Sequence, residues 1–150
     1  MTNITSKLPS VARVVLGLSF FVFGLNGFLH FIPQPAPPPA AAAFAGAMFA
    51  SGYFFPLLKG TEVLAGLLLL RNRFVPLALA VLAPVIINIV AFHLFLEPPA
   101  TLVLPLVLLA LELFLAHSYR EAFGSMLQAR TTPHAAPPAS GRARVPAHAG

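Results

Sequence analysis

Seven polar side chains interrupt long apolar runs in this chain: Asn26, His30, Lys59, Glu62, Asn88, His93 and Glu112. Together they supply two carboxyls, one ammonium, two imidazoles and two amides, which is equipment for moving protons or holding a small polar molecule. Histidine changes charge near neutral pH, so His30 and His93, with Glu62 and Glu112, could exchange protons. Lys59 and Glu62 are three residues apart and can pair directly on a helix, and Asn26 and His30, four apart, share a face. Asn88 and His93 are five apart and do not share one cleanly. The same residue types can also serve as hydrogen-bonding glue between helices, so site and glue both stay open. Glu62 and Glu112 are the sharpest candidates. No metal site is predicted, because there is no cysteine, no HxxxH pair, no Glu-x-x-His pair and no haem-attachment motif. Phosphate-binding loops, nucleophile elbows and zinc-protease motifs are equally missing.

The elements that must position these groups are membrane helices. Charged residues make up 9% of the chain, against about 25% in soluble domains, while the apolar share is 58% and the mean hydropathy +0.86. Lipid must therefore be the solvent for most side chains. Four apolar runs, at residues 11–32, 53–70, 74–96 and 100–119, predict an all-α integral membrane four-helix up-and-down bundle. Residues 1–127 form the membrane domain, and 128–150, rich in Pro, Ala and Arg, read as a disordered basic cytoplasmic tail. The first run is longer than a signal-peptide core of about 7–15 residues, so it is read as a retained span. Pro84 lies inside the third run and should free the carbonyl of Ala80. Between the first two spans a Pro-rich segment leads into alanine-rich residues 40–50, which predict a short interfacial helix or re-entrant lid on the outer face, or an apolar loop resting on the bundle.

Eight of the nine basic residues fall on one side of such a bundle. Lys7 and Arg13 precede the first span, Arg71 and Arg73 separate the second and third, and Arg120, Arg130, Arg142 and Arg144 follow the fourth. Cationic loops stay in the cytoplasm, so both termini are predicted there. The formal charge of +5 comes with no basic stripe of interleaved aromatics, so anionic lipid rather than nucleic acid is the expected partner. Counted from these anchors at about 1.5 Å per residue, Glu62 and Glu112 come out near the bilayer midplane and the other five polar residues in its outer half. Charged groups at that depth must face one another or a wet cavity. The first and third spans also share an echo, Asn26 with His30 before Pro33 and Asn88 with His93 before Pro98, as duplication of a hairpin or chance would give.

Residues 13–27 (RVVLGLSFFVFGLNG), 62–70 (EVLAGLLLL) and 73–79 (RFVPLAL) resemble the DoxX family of bacterial four-helix membrane proteins, a likeness that covers residues 11–125. The matched positions are Arg13, Gly24, Asn26, Gly27, Glu62 and Gly66. The resemblance implies a multi-pass protein of the bacterial inner membrane and a membrane subunit of a quinone-linked oxidoreductase, with quinone as ligand and a redox partner subunit. A small proton-coupled transporter or channel-like homo-oligomer, and a structural assembly protein, are the alternatives.

Because the chain has no native cysteine, single cysteines test the orientation. Asn72→Cys should be labelled by an impermeant maleimide only after the cytoplasmic side is opened, and Ala36→Cys in intact cells. The reverse pattern would invert the topology.

Overall fold

The computed structural model describes residues 4–124; the predicted tail lies outside them. It is all helical: α1 (Ile4–Leu29), α2 (Pro39–Ala50), α3 (Phe54–Leu70), α4 (Val75–Leu96), a 3-10 turn at Pro99–Leu102, α5 (Val103–Ser118) and α6 (Arg120–Phe123). α1 packs on α3 and α5, and α4 packs on the other side of the same two helices, which closes a four-helix ring. α2 rests on α3 and α4.

Among the described residues, three helical stretches are long and apolar enough to cross a membrane: Lys7–Leu29, Val75–Leu96 and Pro99–Ser118. The second predicted span differs. α3 has 17 residues, roughly 26 Å of helix against a ~30 Å hydrocarbon core. It qualifies only together with α2, from which it is bent by 93°. The described residues therefore hold three candidate spans, or four with the bent pair.

α1 also differs at both ends from the predicted 11–32. It starts at Ile4, with Pro9 inside it, because a helix need not stop where its apolar surface stops. It ends at Leu29, where His30 takes a left-handed φ of 52°. The side-chain oxygen of Asn26 then accepts the N–H of Ile32 at 2.6 Å, which stabilises the exit turn. At the far end of α3 the chain turns through a Schellman motif. Asn72, with φ 54°, donates to the Leu69 carbonyl at 3.1 Å, and Arg73 donates to that of Leu68 at 2.9 Å.

The dry core gathers at the end of the bundle that carries this turn. Leu16, Leu69, Leu79, Leu82, Ile86 and Leu115 are buried there almost completely, with Tyr119 and Phe123 packed against them. Val11, Leu64, Leu77, Phe95 and Leu113 face outward, as suits helices whose outer solvent is lipid.

α1 and α3 touch backbone to backbone. A Cβ placed on Gly66 would lie 2.6 Å from the amide nitrogen of Phe21, and one on Gly17 would lie 2.9 Å from the Cβ of Leu69. Small residues permit this approach, which helix pairs in membranes use in place of a hydrophobic driving force. Gly60, by contrast, points into open space. Gly66→Ala is therefore expected to destabilise the protein by about 1–3 kcal/mol. Gly60→Ala should be neutral or raise stability by up to ~1 kcal/mol, because alanine is the better helix former. Unfolding of both variants in detergent checks the contrast.

Candidate functional site

At the end opposite the dry core, α1, α3, α4 and α5 part around a cavity of about 530 Å³, bordered by α2 through Ala45 and Phe49. Its walls are mostly apolar and aromatic, with Phe20, Phe23, Phe49 and Phe55 among them. Five of the seven predicted residues line it: Asn26, His30, Lys59, Glu62 and His93. Ser19 and Gln34 also reach it.

Lys59 and Glu62 form the expected ion pair, Nζ to Oε2, at 2.8 Å. The Glu62 side chain is 3% exposed and that of Lys59 21%, so the carboxylate lies deep and the ammonium toward the open volume. The Lys59 stem runs across Gly27, where an added Cβ would come within 2.6 Å of its Cγ and Cδ. Glycine at that position is what lets the lysine lie between the helices. Its ammonium stands 5.9 Å from the centre of the Phe55 ring, within cation–π range. Phe55 in turn stacks on Phe49 at 3.8 Å between ring centres, tying α2 to α3.

His93 places Nδ1 2.8 Å from the Ile89 carbonyl. A carbonyl only accepts, so Nδ1 carries the hydrogen of this bond, and Nε2 stays free for another partner. Asn26 spends its oxygen on the α1 exit turn and keeps its NH2 group as a donor.

Two predicted residues stand apart. Glu112 is buried outside the cavity lining, one helical turn beyond Leu108 of the cavity wall, and its Oε2 has no partner among the described residues. Asn88 lies on the outer surface of α4. Depth counted along a span carries no information on which way a helix face points.

Arg13 has a role that the sequence reading did not give it. Counted there as a cytoplasmic anchor, it is buried in the dry half and donates from a guanidinium nitrogen to the carbonyl of Leu69 near the end of α3. A cation is favoured at that end of a helix, where carbonyls lack helical donors. The cavity's aromatic walls were also missed, because phenylalanine in an apolar run looks the same facing lipid or ligand.

No group of three or more metal-ligating side chains comes together among the described residues. No protein-family model, curated protein or solved structure matches the chain. The reading of the cavity rests on its own geometry.

Lys59→Met leaves Glu62 without its cation and should cost about 3 kcal/mol, the lower end for a broken buried pair because Lys59 is partly exposed. Adding Glu62→Gln removes the orphaned charge and should recover most of that loss. Denaturant unfolding of the two singles and the double closes the cycle.

Proposed function

We propose that this chain is a DoxX-like membrane protein whose cavity binds the headgroup of a quinone, as the membrane subunit of a redox complex. The observation that carries this reading is one aromatic-walled cavity of about 530 Å³ with spare hydrogen-bond donors on Lys59 and Asn26 and a free imidazole nitrogen on His93. That volume lies in the range of small-molecule sites, about 300–1,000 Å³. A planar ring bearing two carbonyl oxygens matches it, the ring against the phenylalanines and the oxygens on Lys59 and Asn26. Quinone reduction consumes two electrons and two protons. The electrons come from a partner subunit, while the cavity's His and Glu side chains serve the proton traffic.

In this reading the bundle sits in the bacterial inner membrane with both termini cytoplasmic. Arg13 meets the end of α3 beside Arg71 and Arg73, and Tyr119, next to Arg120, packs on the same core. The cations thus gather at one end and the cavity opens at the other, toward the outer face.

The test is a titration of the full chain in nanodiscs with a short-tailed ubiquinone analogue. Saturable binding near one per chain is expected, weakened at least ten-fold by Lys59→Met and unchanged by Leu113→Ala on the outer face. No saturable binding, together with no quinone retained from native membranes, would overturn the proposal. Proton-coupled solute flux in proteoliposomes under those conditions would instead support a transporter, and an inert but folded chain an assembly protein.

A further inference from the structure

The one polar side chain on the outward stripe of α4 is Asn88, and what it does there is not explained by the cavity. Leu77, Val81, Pro84, Asn88, Ala91 and Phe95 follow one another at spacings of 4, 3, 4, 3 and 4 residues. All but the half-buried Ala91 are exposed. This is the heptad spacing of a coiled-coil seam, and Asn88 occupies a central position in it. Asn88 is thirteen residues past Val75 and eight before Leu96, roughly 20 and 12 Å along the helix, so it lies within the hydrocarbon when α4 spans it.

Hydrocarbon offers an amide no partner. The helix hydroxyls bond to their own backbones: Ser19 donates to Val15, Thr61 to Leu57 and Ser118 to Phe114, each to the carbonyl four residues back. Asn88 has no such bond, and its amide takes part in none of the side-chain hydrogen bonds among the described residues.

From these observations we infer that α4 is a self-association face, with a second copy of this chain seated on the stripe and Asn88 paired to Asn88 across a two-fold axis along the membrane normal. The amide points to a second copy because it carries one acceptor and two donor hydrogens, so two identical amides satisfy each other. Copies inserted with the same orientation bring identical α4 helices together in parallel. A single asparagine at a seam position is the arrangement that fixes register and copy number in parallel coiled coils. Ala91, one turn from Asn88, is small enough to let the two helices approach there. The cavity lies on the inward side of α4, through Ile89 and His93, so each copy keeps its own site and the inference does not depend on the ligand.

Val81→Cys and Phe95→Cys, each the only cysteine in the chain, bracket Asn88 and leave it in place. In membranes under mild oxidant both are expected to form disulfide-linked dimers. Leu113→Cys on α5 should not, although Leu113 is 61% exposed and Val81 only 38%. Native mass spectrometry from mild detergent should show two copies. Asn88→Leu should raise the dissociation constant about ten-fold, Asn88→Gln should retain the dimer, and both should keep the parent's helical circular dichroism. A monomer mass with no more crosslinking at Val81→Cys than at Leu113→Cys would overturn the inference, and so would a stable complex of one copy with a different chain. Loss of quinone binding with the dimer intact would count against the functional proposal alone.

Discussion

The backbone contact between α1 and α3 sets the register on which the site depends. With Gly17 against Leu69, Gly24 against Glu62 and Val63, and Gly27 against Lys59, the two helices run antiparallel, and at these three positions α1 offers no side chain. Slide α3 by one turn and Lys59 leaves Gly27, Glu62 leaves the cavity, and Arg13 loses the Leu69 carbonyl. One glycine-lined contact thus places a buried cation at one end and an ion pair at the other. In a bilayer its energy would be van der Waals packing rather than expulsion of water, since lipid tails are as apolar as the side chains they border. Close approach must do what burial does in a soluble protein, and a methyl group at Gly66 is enough to oppose it.

That register divides the bundle into a dry half and a half-polar one. In the dry half leucine and isoleucine close-pack, and the polar intruders are Arg13, which caps α3, and Glu112. In the other half the helix faces carry Asn26, Gly27 and Lys59 on α1 and α3 and His93 on α4, groups too small or too polar to pack dry. The helices cannot close there, and α2 lies against the opening. It is held by two aromatic contacts, Phe49 on Phe55 and Phe44 on Phe92 at 5.8 Å, and by the buried methyl of Ala41. Aromatic pairs add about 0.5–1.5 kcal/mol each beyond their area, so α2 is the more weakly attached of the packed helices.

Helix positions were legible in the sequence because hydrocarbon demands unbroken apolar length, and Val75–Leu96 fell within a residue of the predicted 74–96. The Lys59–Glu62 pair was legible because three residues on a helix fix two side chains on one face. What failed to show was orientation about the helix axis. When nearly every residue is apolar, no contrast between faces marks which one looks inward, so Asn88 and Asn26 read alike although one is exposed and the other buried. The hairpin echo misleads for the same reason, since one of its asparagines lines the cavity and the other faces outward. Arg13 was obscure because a positive charge near a span end looks the same whether it meets headgroups or a helix terminus. The short helix before the second span was foreseen, but not what makes the bend from it into α3. That bend turns on Gly52, with φ 74°, and on Ser51, whose hydroxyl donates to Met48 and accepts from Phe54.

The balance of donors and charges in the cavity narrows the class of molecule it suits. Lys59 has three donor hydrogens and gives one to Glu62, and Asn26 has committed its acceptor and not its donors. The surplus is therefore in donors, which favours a ligand rich in acceptor oxygens over an amine or a metal cation. Charge acts in the same direction. Lys59 and Glu62 cancel at 2.8 Å, so a bound ion would leave water without a counter-charge and meet the full desolvation penalty. A neutral carbonyl compound meets neither obstacle, because its oxygens take up the spare hydrogens and its apolar body replaces lipid or water against phenylalanine. An anion would first have to draw Lys59 from Glu62, which leaves a carboxylate buried at the cavity floor. Among ligands of equal size, the neutral acceptor is held at the least cost.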